Sequence, residues 1–485
     1  MQKRQKIKDA NRMEIILIIL AVFFAALVFN TVKCKAKSRK LGKEKIHYSE
    51  NEQIEYAQKL AEMIKCETVS VKGSYDDTEF AKLRKTVEEL FPLVHKKAER
   101  MIFGDDCWIY KLEGKDKSRN IMLMSHHDVV AANGEWKHPP FGGEIAGGAI
   151  WGRGTVDTKT SLFAEFEALE ELLSEGFVPE CNLYIGSSCN EEIFGNGIPL
   201  AVEYFKKQGI EFETVLDEGG GIIDPPLGGI DCKCAMIATH EKGRHTLICT
   251  AKQNGAGKAF TIEKKTPVVR MASFIAEVSR KKIFKTALYP VVKKMLTDLA
   301  PYTPLPLRFP LSNLWLFGGI IKAVVPKINS QASSMLGTTF TFTDIKGSTR
   351  DKECTSTAYF RFIDDADFKA DLEKFKKIAE KHGIELREGE GNESYIPADM
   401  AHKGYKYTRE CVAEIFPHAA CAPYLLPAGT DARHMTEICK CALRFAPIEM
   451  NTQQFDSVHN ENENISVKAV ANAVAFYKYY IRNYK

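Results

Sequence analysis

His126, Asp128, Asp157, Glu191, Glu192, Asp217 and His459 are the side chains in this sequence whose types could together perform metal-assisted chemistry. Divalent zinc accepts imidazole nitrogen and carboxylate oxygen in one site. His126 and Asp128 stand two apart, so on an extended backbone both leave the same face. Asp128 can then hold the second ring nitrogen of His126 and fix its tautomer, although a His-x-Asp pair alone is more often a surface pair. His127 points the other way and is expected to be structural. Asp157 lies where the Gly152-Arg153-Gly154 turn meets a helix start, which suits either an N-cap or a carboxylate bridging two cations. These glycines lack the Walker spacing, so a phosphate loop is set aside. Glu191 and Glu192 are adjacent like charges. In a crevice a cation would have to neutralise one, leaving the other free to carry a proton; a solvated loop pair is the alternative. Asp217, just before Gly219-Gly220-Gly221, and His459 would complete two coordination sets.

These residues need a frame, and the frame is legible in the apolar runs that precede them. Asn120 to Met124, Asn182 to Ser187 and Thr214 to Leu216 read as buried strands, each running directly into the acids or imidazoles. In an open α/β sheet the carboxyl ends of the strands form the ligand crevice. Thr158 to Glu175 predicts a helix with Leu162, Phe163, Phe166, Leu169, Leu172 and Leu173 on one face and Gly176 as its stop. The pattern from Glu50 to His240 is therefore α/β. Between residues 241 and 365 it changes to a basic stretch, a Pro-rich turn region around Pro301 to Pro310, and alternating runs at Arg244 to Ala251 and Thr338 to Thr343. That segment is expected to be an inserted second domain, with the first domain in two parts, 46–240 and 366–485, and a closing helix from Ser466 to Ile481.

With 485 residues the chain is long enough for two or three compact units. A net charge of +4 gives no ground for a nucleic-acid partner. Residues 1–45 stand apart: a basic start precedes an apolar run from Ile15 to Val32, which nearly spans a hydrocarbon core at helical rise. Lys33, Cys34 and Lys35 follow and suit neither signal cleavage nor lipidation, so an uncleaved single-pass membrane anchor is expected. The basic residues on both flanks leave the orientation open by charge; the enzyme is placed outside the cytoplasm as a hypothesis. Thirteen cysteines, an odd count without zinc-ribbon spacing, read as buried free thiols.

Taken together the motifs resemble a zinc metallopeptidase family that includes aminoacylase, carboxypeptidase S, carnosinase-like dipeptidases and succinyl-diaminopimelate desuccinylase. The likeness rests on the order His-x-Asp-Val-Val, Gly-Arg-Gly-x-x-Asp-x-Lys, Glu-Glu, Asp-Glu-Gly-Gly, Gly-Thr-Asp-x-Arg and a late His before Asn-Glu. The stretch Leu216 to Gly220 and the apolar insert Ser312 to Phe317 look most like the branch of carboxypeptidase S and secreted N-acyl amino acid hydrolases. The resemblance implies a mixed sheet flanked by helices, an inserted α+β lid, and two zinc ions bridged by Asp157, with His126 and Asp217 on one and Glu192 and His459 on the other. It implies Glu191 as general base, Asp128 as partner of His126, and the Gly429-Thr430-Asp431-Ala432-Arg433 loop as substrate-binding, with Arg433 on a free carboxylate. The substrate would be a small peptide or an N-acyl amino acid, and a homodimer through the lid stays open. The sequence departs from the family where a Gly-Gly-His-Ser-Ser segment is usual, reading Asn254 to Ala259 without a His. The later Asn-Val-x-Pro segment is missing too, and Asn190 replaces the usual Asp. Lys258 could supply the missing positive charge. The alternative class is a non-catalytic, zinc-binding membrane-surface protein.

Overall fold

A computed structural model describes the chain except residues 1, 37, 46–47, 254–265, 329, 349–350 and 393. The segment around Asn254 to Ala259, with Lys258, lies outside the described residues.

The apolar runs form a nine-stranded mixed sheet. Its centre is parallel: Cys181–Ser188, Asp116–His126, Thr214–Asp217 and Ala442–Arg444 lie side by side in that order. Strands Glu99–Phe103 and Cys107–Leu112 extend it antiparallel on one side. Cys234–Glu241 and Ala420–Leu426 continue it on the other, parallel to each other. Burial on both faces explains why the central strands are continuously apolar rather than alternating. Helix Lys159–Ser174 covers one face and packs against the C-terminal helix Val467–Asn483. Its six expected core residues are buried, Gly176 takes the left-handed conformation just after it (φ 77°), and Ser466 caps the C-terminal helix by accepting from Ala469 N–H at 3.1 Å.

A second, four-stranded antiparallel sheet has the order Thr339–Lys346, Glu353–Phe362, Gly243–Lys252, Ile384–Asn392. Phe274, Phe360 and Phe375 fill the core between this sheet and helices Pro267–Arg280 and Asp365–Lys381. The expected boundary at 365 therefore cuts through this core: the second sheet takes its edge strand from beyond it. The helix at 365–381 has the same amphipathic period as one covering the large sheet, so the sequence pattern could not say which sheet it covers. The Pro-rich region expected as a turn is largely helical, with Leu305–Ser312 following a short 3₁₀ turn at Ala300–Tyr302. Pro306 sits in the first helical turn, where its missing N–H costs nothing.

A three-stranded antiparallel ribbon, Glu144–Ala146, Ala149–Trp151 and Asn464–Ser466, joins distant parts of the chain. Pairing of Asn464 with Trp151 lays the segment 459–463 beside the Gly152 to Asp157 turn. The thirteen cysteines are all unpaired, most of them buried. The N-terminal helix runs Gln2–Ala36; its stretch Asn11–Ala36, which contains an 18-residue window of mean hydropathy 2.9, is the one described helix that alone is long and apolar enough to cross a membrane. A signal sequence shares those properties.

Candidate metal centre

Three adjacent parallel strands end in His126, Ser188 and Asp217, and the loops beyond them supply the acids. Asp157 lies at the middle of the resulting cluster. Its Oδ1 is 2.9 Å from His126 Nε2 and its Oδ2 is 3.1 Å from His459 Nε2. Glu192 completes the group, with Oε2 3.1 Å from His459 Nε2. Ligand atoms of His126, Asp157 and Glu192 all lie within 4.8 Å of one another.

The turn bearing Asp157 is held by a residue that the sequence reading did not single out. Glu463, fully buried, accepts from the backbone N–H groups of Gly154 (3.1 Å), Val156 (2.7 Å) and Asp157 (3.1 Å) and pairs with Arg153 at 2.6 Å. His459 is placed by left-handed backbone at its own position and at Asn462 (φ 59° and 62°). His127 is buried, stacked on Trp108 and bonded to Ser187 Oγ at 2.9 Å.

Asp128 stands beside His126 and also holds the glutamate turn. The nearest partner of His126 Nδ1 is the Asp128 backbone carbonyl at 2.9 Å, with the carboxylate further off at 3.4 Å. That carboxylate accepts from the N–H groups of Glu191 (3.1 Å) and Glu192 (3.2 Å), fixing the turn that presents both glutamates. The carbonyl contact leaves His126 Nε2 toward Asp157, the orientation a metal ligand requires.

Asp217 is bonded to backbone N–H groups at both carboxylate oxygens. Its Oδ2 accepts from Ala432 N–H at 2.6 Å and its Oδ1 from Glu218 N–H at 2.9 Å. Burial, with the nearby Asp431 charge, pushes its carboxyl up to about 7. Next to it, burial raises the Glu218 carboxyl well above the usual range, with the charges of Asp157 and Asp217 acting in the same direction and that of His126 against it. The strand ends at Asp217, and Gly219 and Gly220 follow with φ of 84° and 75°, so the strand's two-residue alternation does not extend to Glu218.

In the loop 429–433, Arg433 lies beside Glu191, and the charge of Asp431 acts on the same carboxylate. Thr430 spends its N–H and Oγ on Glu241 Oε2, each at 3.1 Å, and Asp431 accepts from Ser188 Oγ. These two residues hold the loop in place. Arg433 Nη1 is 3.6 Å from Glu191 Oε1, and its guanidinium lies 5.1 Å from the centre of the Phe194 ring. The same ring carries Arg244 of the second sheet at 3.9 Å. Sequence reasoning missed Phe194 and Arg244, whose contact joins segments fifty residues apart with no local signature.

The electrostatics show what the cluster lacks. Burial raises Glu191 and Glu192, and each feels the charge of a neighbouring acid. Burial acts on Asp157 in the same direction, but hydrogen bonds from His126 and His459 outweigh it and hold that carboxyl below its ordinary value. Bonds to Asp157 and Glu192 push His459 up to about 10. Glu191 Oε1 is buried and accepts no hydrogen bond among the described residues. Acids crowded out of water beside two imidazoles are a donor set that divalent cations fit, because the cations supply the positive charge that burial withholds.

The sequence of residues 122–483 matches the family described as Peptidase family M20/M25/M40. The chain belongs to that family. It is thus an enzyme of the metallopeptidase and amidohydrolase class. It is 27% identical over 494 residues to the N-fatty-acyl-amino acid synthase/hydrolase PM20D1 of Xenopus tropicalis, covering 99% of this chain and 96% of that protein. It is 25% identical over 481 residues to carboxypeptidase S of Saccharomyces cerevisiae, covering 84% of this chain and 80% of that one. The fold is that of an M20 family metallo-carboxypeptidase from Sulfolobus solfataricus, with TM-score 0.63 at 17% identity over 88% of this chain and 98% of the other.

Proposed function

We propose that this M20 enzyme hydrolyses an amide bond adjacent to a free carboxylate, in a peptide or an N-acyl amino acid, with Glu191 as general base. The observation that carries the reading is the Glu191 carboxylate itself: buried, with an oxygen that accepts no hydrogen bond among the described residues, 3.6 Å from Arg433 Nη1, and within reach of the charges of His126 and Glu192. The printed activities of the two relatives fall within this substrate class.

Asp157 would bridge two divalent ions, zinc by the family's preference, with His126 and Glu218 on one and Glu192 and His459 on the other; such ions supply an acidified water and polarise the amide carbonyl. Glu191 Oε1 accepts the proton that the attacking water gives up as its oxygen bonds to the amide carbon. The protonated Glu191 then donates that proton to the nitrogen as the carbon–nitrogen bond breaks, which frees an amine and a carboxylate. Asp128 keeps Glu191 in register through the turn it holds. Arg433 offers a guanidinium beside the reacting groups for the free carboxylate, and Arg244 on Phe194 brings the second sheet over the crevice as a lid.

The N-terminal helix is read as a retained, single-pass anchor with the catalytic unit outside the cytoplasm. The support is its packing on the folded body: Leu27 and Thr31 are buried, and Arg39 donates to the carbonyls of Ala413 (3.0 Å) and Ala419 (2.7 Å). Protection of the body from protease in intact cells would contradict that orientation. For the activity, the full-length chain in detergent with added zinc is assayed on dipeptides and N-acyl amino acids. Turnover abolished by Glu191→Gln supports the reading; metal-loaded protein that cleaves none of them contradicts it.

A further inference from the structure

The catalytic account leaves one part of the molecule unused. Helices Leu305–Ser312 and Leu314–Ile328 meet at Asn313 with a bend of 114°, and between Phe309 and Pro326 the only charged residue is Lys322. Their outward side is apolar: Leu305, Trp315 and Ile320 are 62%, 64% and 61% exposed, and Leu307, Leu316 and Val324 are exposed as well. Contiguous apolar surface on this scale marks an interface.

We propose that this pair is a re-entrant hairpin that enters the same bilayer as the N-terminal helix, from the side of the enzyme, and turns inside the hydrocarbon without crossing it, carrying Trp315 toward the midplane. The inference rests on the anchor reading above. Its first support is register. Lys35 Nζ donates to Pro301 O at 3.1 Å, so the hairpin's entry lies level with the basic end of the N-terminal helix. Deeper along that helix, Phe24 lies against Phe309 (6.4 Å) and Phe23 meets Trp315 edge-on (5.7 Å). Phe23 stands ten residues before Lys33, about 15 Å along the axis at about 1.5 Å per residue. That is about half of a hydrocarbon core about 30 Å thick. Helices of eight and fifteen residues reach only about 12 and 22 Å, so neither crosses.

The second support is the chemistry of the bend. A broken helix at membrane depth is tolerated only where protein covers the break. Asn313 is fully buried, and its amide is satisfied by the helix before it and by the N-terminal helix. Its Nδ2 donates to Phe309 O (2.9 Å) and Leu27 O (3.2 Å), while its Oδ1 accepts from Asn30 Nδ2 (3.0 Å). Asn side chains bonded between helices are the polar contacts expected inside hydrocarbon. The occupant of the outward face is lipid rather than a protein partner because the face is continuous with Val22, Phe24 and Phe29 of the N-terminal helix, which are exposed in the same way. Lys322, seven residues beyond Trp315 on the outgoing helix, is placed to extend its long stem toward the headgroups.

The test uses the full-length chain in phosphatidylcholine vesicles whose lipids carry a nitroxide at the headgroup or deep in the acyl chain. The chain has four tryptophans, so the Trp315 signal is taken as the difference between the native chain and Trp315→Phe. A second reporter, Leu20→Trp in the Trp315→Phe background, reads the anchor alone. The hairpin predicts that Trp315 loses most of its fluorescence to the deep nitroxide and little to aqueous iodide. Quenching of Trp315 by iodide or only by the headgroup nitroxide, with Leu20→Trp quenched by the deep probe, overturns the hairpin and leaves the anchor standing. Absence of lipid quenching at both positions overturns the anchor and the hairpin together.

Discussion

At the carboxyl edge of the large sheet, Asp157, Glu191, Glu192 and Glu218 are drawn out of water into one crevice, while at the helical hairpin Leu305, Trp315 and Ile320 are left facing outward. The two regions are incomplete in opposite senses. The first holds more buried negative charge than its own cations balance, and the second holds more apolar surface than its own core covers. Each deficit names the chemistry of what completes it: divalent cations in one place, hydrocarbon in the other. The crevice is rigidly prepared, with Glu463 on the Asp157 turn and Asp128 on the glutamate turn, whereas the hairpin is fixed mainly through Asn313.

Breaking the crevice at its proton carrier has the largest expected effect. Glu191→Gln lowers kcat by about 10²–10⁴-fold while bound metal, measured on the same sample, stays at the native level; loss of metal together with activity would reassign Glu191 as a ligand. Next come the neighbours on the third strand. Glu218→Gln should lose metal and activity together, whereas Asp217→Asn should keep its metal and show its damage in thermal unfolding, because Asp217 holds Ala432 and Glu218 by their N–H groups. The reverse pattern in metal analysis would restore Asp217 as the ligand. Arg433→Lys replaces a planar fork with a point charge, and KM for substrates bearing a free carboxylate should rise about 10–100-fold; an unchanged KM would release Arg433 from that role.

The smallest effect lies at the join of the two sheets. Lys242 is buried, with Nζ donating to Gly337 O at 2.8 Å, and burial lowers it to about 7. Above that pH the folded chain has given up a proton that the unfolded chain keeps until the ordinary lysine range near 10.5. The unfolded state therefore binds more protons across this window, and stability attributable to Lys242 rises with pH from about 7 upward. Lys242→Met should flatten that rise in the melting temperature; an identical slope would contradict the assignment.

The chemistry and the central strands were legible because both are constrained by type. Metal ligation and proton transfer admit few side chains, and a strand buried on both faces must be apolar, so His126, Asp157, Glu191, Glu192 and His459 could be marked and their strands drawn from the sequence. What escaped were choices made by direction. Asp217 and Glu218 are equally acidic and adjacent, and only the turn after the strand decides which one faces Asp157. Thr430 and Asp431 have the types of substrate ligands, and their bonds to Glu241 and Ser188 reach across the fold, where no local pattern shows them. Glu463 carries no local signature, and its work on the Asp157 turn depends on pairing between Asn464 and Trp151, more than three hundred residues apart. Helix Asp365–Lys381 has an amphipathic pattern that either sheet would accept.

Anomalous diffraction from crystals of the full-length chain grown with zinc, recorded on both sides of the metal's absorption edge, tests the centre most directly. The account predicts two peaks about 3.5–4 Å apart on either side of the Asp157 carboxylate, one touching His126 and Glu218, the other Glu192 and His459. Zinc bound only elsewhere, or a folded and active enzyme with no peak at Asp157, would contradict it.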